Sequence, residues 1–194
     1  MEQSGGGFWL YLRIVALNVA TAVMIFTISQ TVPPPATLHA SNLINVISKQ
    51  QIQNTKSGIP TQIVIPSLGI DLAVGVGSYN PNDENWTIDA SQAYYADTSV
   101  PINDHNGTTL IYGHAQQPVF GNLQNILPDS EAIVSTDTGY KFHYRYVSMQ
   151  QVLPTDTSVF QDTGEPKLVL QTCTGAWDSY RALFTFHLES VNKI

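Results

Sequence analysis

The sequence predicts an all-β domain, either a barrel or a sandwich, that follows an N-terminal transmembrane helix. From Ile59 onwards, short β-branched and aromatic runs are broken by Gly, Pro, Asn and Asp, a spacing typical of all-β folds rather than of alternating βα units. Residues 140–146 alternate between aromatic and polar side chains, as the two faces of a half-buried strand require. The predicted membrane helix is the long apolar run at residues 8–28.

Residues 8–28 have the length of helix, about 20 residues, that crosses the hydrocarbon of a bilayer. Arg13 lies near the start of the run, where a long side chain reaches the interface, and Trp9 and Tyr11 are typical interfacial aromatic residues. A cleaved signal peptide would have a shorter apolar centre, about 7 to 15 residues, and a better small-x-small site. We therefore expect residues 1–30 to form a cytoplasmic tip and a single-pass membrane anchor, with the rest of the chain extracellular.

The segment after the anchor predicts a spacer. Three prolines at 33–35 cannot continue a helix and favour an extended chain. Residues 31–58 are rich in Pro, Ser, Asn and Gln, with an apolar spacing at 43–47 that predicts either a short helix lying on the domain or a stalk. The folded domain is then expected to span residues 59–194.

Within that domain, the apolar runs predict strands, and residues 116–127 predict a short helical turn between two of them. The predicted strands include residues 62–65, 72–76, 108–112, 132–135, 140–149, 168–173 and 181–188.

Charge excludes some functions. With 8 basic and 15 acidic residues the net charge is −7, so the chain lacks the basic surface that nucleic acid requires. Clusters of basic residues that would hold an anionic membrane surface are also missing from the sequence. The acidic residues are too scattered to predict a calcium site, so we expect no metal and no other cofactor.

The single cysteine, Cys173, cannot form an internal disulfide, so it is either a buried filler or a reactive thiol. A buried strand runs directly into it and a loop with Gly175 follows, whereas a filler would more often lie in mid-strand. The strand end places the thiol at a rim that a substrate can reach. Arg181 opens the next strand after a seven-residue connection, and an antiparallel hairpin would bring it back beside Cys173.

His114 is the best candidate for a partner of the thiol. A free thiol is only slightly ionised at neutral pH and needs a base or a cation, for which imidazole is well suited. His114 follows the end of strand 108–112, and Gly113 gives the backbone freedom to turn. The other histidines are His39 in the spacer, His105 in a polar loop, His143 on a polar strand face and His187 well inside the last strand.

These residues resemble a known family, the sortases, which are membrane-anchored cysteine transpeptidases of Gram-positive-type bacteria. The resemblance rests on Gly113-His114 after one strand, Leu-x-Thr-Cys at 170–173 at the end of another, and Arg181 at the start of the next. It covers most of residues 60 to 190, and it includes Ile-Pro-Ser-Leu-Gly-Ile at 65–70, Phe-Gly-Asn-Leu at 120–123 and Val-Leu-Pro at 152–154.

The resemblance implies a closed eight-stranded β-barrel with short connecting helices and a substrate that carries a C-terminal sorting signal of the Leu-Pro-x-Thr-Gly type. It implies that Cys173 attacks the Thr carbonyl to form a thioester, and that His114 protonates the leaving amine and deprotonates the incoming one. Arg181 would stabilise the oxyanion or position the substrate. Thr172 and Gly113 would support the site or the bound substrate, although a packing role for Thr172 is an equal alternative. The acyl group would pass to an amine of the cell wall or of a pilin.

Two other functions remain open from the sequence. One is a weakly active barrel that binds sorting or cell-wall peptides, although Cys173, His114 and Arg181 are all present. The other is a cysteine peptidase that hydrolyses the same thioester, since only the acceptor would differ.

Overall fold

A computed structural model describes residues 55–82 and 84–194, within which short strands account for most of the regular structure. In chain order these strands are β1 Ser57–Gly58, β2 Pro60–Ile65, β3 Ile70–Gly77, β4 Tyr79–Asn80, β5 Asn85–Trp86, β6 Ala93–Ala96, β7 Ile102–Asn103, β8 Thr108–Tyr112, β9 Glu131–Thr136, β10 Tyr140–Val152, β11 Lys167–Thr174 and β12 Tyr180–Lys193. Single 3-10 turns occur at Pro66–Leu68, Leu123–Asn125, Ser158–Phe160 and Ala176–Asp178.

Eight of these strands form a closed barrel in the order β10-β12-β11-β8-β6-β3-β2-β9, with β9 returning to β10. The pairs β3–β6 and β8–β11 are parallel, and the other barrel pairs are antiparallel. Two further pairs, β1–β7 and β4–β5, lie outside the barrel ladder. The closed eight-stranded barrel implied by the family resemblance is thus confirmed, and closure leaves no exposed sheet edge in the ladder.

Alternation along the strands fills the barrel interior. On β10, Phe142 and Tyr144 are almost fully buried in the main core, whereas Lys141 and Arg145 are exposed. Glu189 lies on β12 next to β10, and Arg145 pairs with it on the outer surface, Nη2 lying 2.7 Å from Oε2. The two faces predicted for residues 140–146 are therefore present, because the side-chain period of a strand is two residues.

A second cluster of apolar side chains covers part of the barrel's outside, and we call it the outer cluster. Its buried members come from β6, β8, β10, β11 and β12, and they are Tyr94, Ala96, Leu110, Tyr112, Val152, Val169 and Leu183. Trp86, Val159 and Phe160 pack against them from outside the barrel. As a result β8 and β11 are buried on both faces, which explains why residues 110–112 and 168–170 are continuously apolar rather than alternating.

Every strand predicted from the sequence lies within an observed strand, but β6 and the four short strands were not predicted. Residues 93–96 read Ala-Tyr-Tyr-Ala and are all buried, so they carry no alternating pattern that could have identified them. The helical turn predicted at 116–127 is reduced to the 3-10 turn Leu123–Asn125.

The predicted anchor, residues 8–28, and the spacer up to residue 54 lie outside the described residues. In the part of the chain that the structure describes, no helix is both long enough and apolar enough to cross a membrane. The described end of the spacer is held to the domain, because β1 pairs with β7 and the Lys56 backbone N–H donates to Asp104 Oδ1 at 3.2 Å.

Candidate active site

The hairpin of β11 and β12 places Cys173 opposite Arg181. The two strands pair antiparallel, and Cys173 is the register partner of Arg181 while Thr174 is the partner of Tyr180. Directly opposed residues in an antiparallel pair lie about 4.5–5.5 Å apart at the backbone, close enough for their side chains to interact. The structure therefore brings together two residues that are eight positions apart in the sequence.

The turn between these strands orients the Arg181 side chain. Arg181 Nη1 donates to the carbonyls of Asp178 at 3.0 Å and Tyr180 at 3.1 Å. The Asp178 carbonyl points that way because Trp177 and Asp178 both adopt φ near +56°, a left-handed conformation that side chains disfavour. Gly175 has φ +83°, and a Cβ at this position would lie 2.8 Å from the Tyr180 ring. The turn thus requires Gly175 and holds the guanidinium at the barrel rim.

Parallel pairing of β8 with β11 brings His114 to the same rim. Tyr112 is the register partner of Gln171, and the ladder continues one step further, because the Gly113 N–H donates to the Gln171 carbonyl at 3.1 Å. His114 and Cys173 each lie two residues beyond that matched pair. Because parallel strands end at the same edge of a sheet, both side chains start from neighbouring positions on one rim.

Thr172 ties the two strand ends together. Its hydroxyl donates to the Gly113 carbonyl at 2.9 Å, and the side chain is buried. Thr172 directly precedes Cys173, and Gly113 directly precedes His114, so this single hydrogen bond links the backbone of the thiol to that of the imidazole. Thr172 would act through this contact in the supporting role expected for it, and that role stays a prediction.

Gly113 is required by packing. A Cβ on Gly113 would lie 2.7 Å from Val119 Cγ1 and 3.2 Å from Phe120 Cδ2. Both of these residues are buried and belong to the loop that follows His114. The Phe120 N–H in turn donates to the His114 carbonyl at 3.0 Å. The loop therefore closes tightly behind His114, and a side chain at 113 would force the buried Val119 to shift.

Cys173 belongs to the outer face of the barrel. Leu168 and Leu170 on β11 enter the interior core, whereas Val169 enters the outer cluster. Continued alternation places Cys173 on the same side as Val169. The thiol is therefore directed to the outside of the rim, where it is partly exposed.

Opposing effects set the ionisation of the thiol. Burial raises the pKa of Cys173 above its ordinary value, the charge of Arg181 lowers it in part, and the carboxylate of Asp178 raises it again. The sum is upward, because loss of hydration disfavours a thiolate more than one partly exposed guanidinium favours it. At neutral pH the thiol form therefore dominates.

The other described histidines occupy different parts of the barrel. His105 lies in a polar loop, with Nδ1 3.8 Å from Asp104 Oδ1. His143 Nδ1 lies 2.7 Å from Glu131 Oε1 on the outer face of β9 and β10. His187 is the register partner of Lys167, at the opposite end of β11 from Cys173. Of these described histidines, only His114 reaches the rim of Cys173.

Sequence reasoning missed Asp178. Its carbonyl orients Arg181 and its carboxylate acts on the thiol, but both effects depend on the left-handed turn at 177–178. The residue types in the turn do not specify that conformation, since Trp avoids it and Asp adopts it only occasionally. The only hint was the position of Asp178 between Cys173 and Arg181.

Comparison with known proteins agrees with this fold. The family model of the sortase domain matches residues 63–188 of the chain. Among curated proteins, no significant match is found.

Several solved structures have the same fold. Sortase A of Listeria monocytogenes is 19% identical with a TM-score of 0.56, the match covering 72% of this chain and 92% of that one. Sortase C of Streptococcus pneumoniae is 20% identical with a TM-score of 0.57, covering 70% and 71%. Sortase C-1 of Actinomyces oris is 23% identical with a TM-score of 0.55, covering 66% and 73%. At these identities the likeness establishes the fold.

The raised pKa of the Cys173 thiol predicts slow alkylation at neutral pH. The rate of reaction with iodoacetamide should be low at pH 7 and still be rising above pH 8.5, the ordinary value for a thiol being about 8.5. Arg181→Gln removes the charge that lowers this pKa, so the rate at pH 8 should fall roughly three- to ten-fold further. Arg145→Gln, on the distant outer face of β10, is the matched control. Rapid alkylation of the wild type at pH 6 would contradict this account of the thiol.

The Thr172 hydroxyl predicts a second effect. Thr172→Val keeps the side-chain shape but leaves the Gly113 carbonyl without its buried donor, at a cost of about 1–3 kcal/mol in the free energy of unfolding. Loss of this link should also misplace Cys173 relative to His114, so any reaction that needs both residues should slow roughly ten-fold, whereas Thr172→Ser restores the bond and most of the rate. Urea unfolding and turnover of a donor peptide measure the two quantities. A Val variant with wild-type turnover would show that the link only stabilises the fold.

Proposed function

This chain belongs to the sortase family, and we propose that it is a cysteine transpeptidase that acts on proteins carrying a C-terminal sorting signal of the Leu-Pro-x-Thr-Gly type. The acyl group would be transferred to an amine of the cell wall or of a pilin.

One observation carries this proposal: three polar residues from different strands meet at one rim of the barrel. Cys173 lies opposite Arg181 in the β11–β12 register, and His114 follows the strand paired in parallel with β11. A nucleophile, a proton carrier and a cation in one place are the components that acyl transfer requires. Because Cys173 is partly exposed, a peptide can reach the thiol.

In the proposed first half-reaction, the Cys173 thiol loses its proton to His114 and the sulfur attacks the carbonyl carbon of the signal's Thr residue. The oxyanion that forms accepts hydrogen bonds from Arg181, whose Nη1 is held by the turn carbonyls while Nε and Nη2 have no hydrogen bond to the described residues. His114 then protonates the nitrogen of the leaving Gly residue as the C–N bond breaks, which leaves a thioester on Cys173.

In the second half-reaction, an amine attacks the thioester carbonyl and His114 accepts the proton that the amine loses. The C–S bond breaks, the sulfur regains a proton, and a new amide is released. The raised pKa of Cys173 favours a resting enzyme that holds a neutral thiol. Only a minority of molecules then carries the reactive thiolate at any moment.

We also propose that the enzyme is anchored in the cell membrane by residues 8–28, with its catalytic domain, residues 59–194, on the extracellular side. The length and composition of the apolar run and the prolines at 33–35 support this arrangement. It suits the reaction, because signal-bearing proteins and cell-wall amines meet outside the cytoplasm.

Acyl transfer can be tested with one peptide. The protein is incubated with a fluorescent sorting-signal peptide, alone and with either an oligoglycine or a lysine amine, and the products are identified by mass spectrometry. The expected product is a new amide with one of the two amines. Cys173→Ala should abolish it while leaving the circular dichroism spectrum unchanged, because the loss of one sulfur at a strand end opens little space.

Other outcomes of that experiment identify other functions. Release of the free acid despite abundant amine would indicate a hydrolysing peptidase. Binding of the peptide without turnover would indicate a recognition module. Product formation by Cys173→Ala would contradict the cysteine mechanism altogether.

The proposed anchor predicts the behaviour of a truncated protein. Removal of residues 1–35 should yield a soluble, folded and active domain, whereas the full chain should remain in the membrane fraction and require detergent. Mass spectrometry of the full chain purified from cells provides the control, since recovery of a form that lacks residues 8–28 would show cleavage rather than anchoring.

A further inference from the structure

One polar side chain lies among the apolar residues of the outer cluster, close to the thiol. Gln171 is two residues before Cys173 on β11, so alternation places its carboxamide on the same outer face as Val169 and Cys173. Its register partners on the neighbouring strands are Leu183 on β12 and Tyr112 on β8, both members of the outer cluster. On this face Gln171 is therefore surrounded by apolar side chains and the thiol.

The buried part of the outer face ends at Gln171. Val169, two residues further from the rim, is 5% exposed, and the adjoining Tyr112 and Leu183 are 6% and 9% exposed. Gln171 and Cys173, in contrast, are both partly exposed. A donor peptide that reaches the thiol therefore meets Gln171 as the next accessible side chain on this face of β11.

The carboxamide of Gln171 is not used by the fold. It has no hydrogen bond to any residue that the structure describes, whereas the main-chain carbonyl of Gln171 accepts the Gly113 N–H at 3.1 Å. A carboxamide offers two N–H donors and one acceptor oxygen, and the apolar side chains around it can pair with none of these groups. A ligand that covers Gln171 must supply hydrogen bonds itself or leave a buried amide unpaired.

The position of Gln171 on β11 indicates which part of a donor it can reach. Residues two apart on a strand are separated by about 7 Å, which is also the span of two residues in an extended peptide. With the scissile carbonyl of a Leu-Pro-x-Thr segment at Cys173, the residues within this distance are Thr, x and Pro. Pro has an apolar side chain and no N–H, so x is the variable position whose side chain can pair with a carboxamide.

We propose that Gln171 is a specificity-determining residue that selects donors with a hydrogen-bonding side chain at position x of the sorting signal. This inference rests on the proposed function, because it concerns the donor of that reaction. A carboxamide at x exchanges N–H···O bonds with Gln171. An apolar side chain of the same size covers Gln171 without pairing with it, and the cost of the unpaired group disfavours that donor.

The experiment measures covalent labelling of Cys173 in the full chain by two peptides, Leu-Pro-Asn-Thr and Leu-Pro-Leu-Thr, each with a vinyl sulfone in place of the scissile carbonyl. Asn and Leu side chains have nearly the same size and shape, so the two probes differ mainly in hydrogen bonding at x. The thiol adds to the vinyl group of either probe, and mass spectrometry follows the rate.

Two variants carry the same substitution at different places. Gln171→Met removes the carboxamide but keeps an unbranched side chain of similar length. Gln151→Met is the matched control, because Gln151 is exposed on β10 and is the register partner of Ala182, which belongs to the interior core. Opposed residues share a face, so Gln151 lies on the other side of the sheet from Gln171.

The Asn peptide should label the wild type roughly ten-fold faster than the Leu peptide. This preference should disappear or reverse in Gln171→Met, because Met no longer leaves a hydrogen-bonding group unpaired under an apolar side chain. It should keep its wild-type value in Gln151→Met.

Equal labelling of the wild type by the two peptides would overturn the proposal, even if Gln171→Met slowed both, since the carboxamide would then bind the main chain of the donor. A preference that persists in Gln171→Met would also overturn it, as would labelling by neither peptide. Because labelling forms no amide, a failure of acyl transfer to an amine would contradict the proposed function and leave this result unchanged.

Discussion

The parallel pairing of β8 with β11 is the constraint on which the candidate site depends. It matches Tyr112 with Gln171, so that the two strands reach the same rim in step, and the Thr172–Gly113 hydrogen bond fixes this match at its last position. Two parallel strands need a long connection between them. Here the connection from β8 to β11 includes β9 and β10, which are themselves strands of the barrel. The barrel must therefore be nearly complete before His114 and Cys173 can meet. Arg181 needs less of the folded barrel to reach its position, because the local β11–β12 hairpin alone places it opposite the thiol.

Burial of β8 and β11 on both faces fixes the register of the strands at this rim and affects the pKa of the thiol. One face of these strands packs in the interior core, and the other packs in the outer cluster. Strands packed on both sides cannot shift register without moving large side chains out of contact, so the positions of the side chains at their ends are well defined. The same burial places the thiol in apolar surroundings, which accounts for the upward direction of its pKa.

Arg181 and Asp178 illustrate how a turn can adjust such a site. The guanidinium favours the thiolate and the carboxylate disfavours it, and the left-handed turn at 177–178 presents both groups together. A neutral resting thiol reacts slowly, but it is also less prone to oxidation than a thiolate, which suits an enzyme expected to work outside the cytoplasm. The fully exposed Trp177 has no packing partner in the described residues that explains its strained backbone.

Sequence by itself determined the all-β class, the main strands, and Cys173, His114 and Arg181 as candidates, because these rest on side-chain periodicity and on polar residues at strand ends. The closed eight-stranded barrel was reached through resemblance to a family, since the pattern alone fitted a sandwich equally well. Only the tertiary structure decided the rest: the doubly buried strand β6, the hairpin that carries Trp86, the packing that requires Gly113, and the turn that orients Arg181. These features depend on contacts between residues distant in the chain or on backbone conformations that no residue type announces. Periodicity records which side of a strand is buried, but not which element buries it.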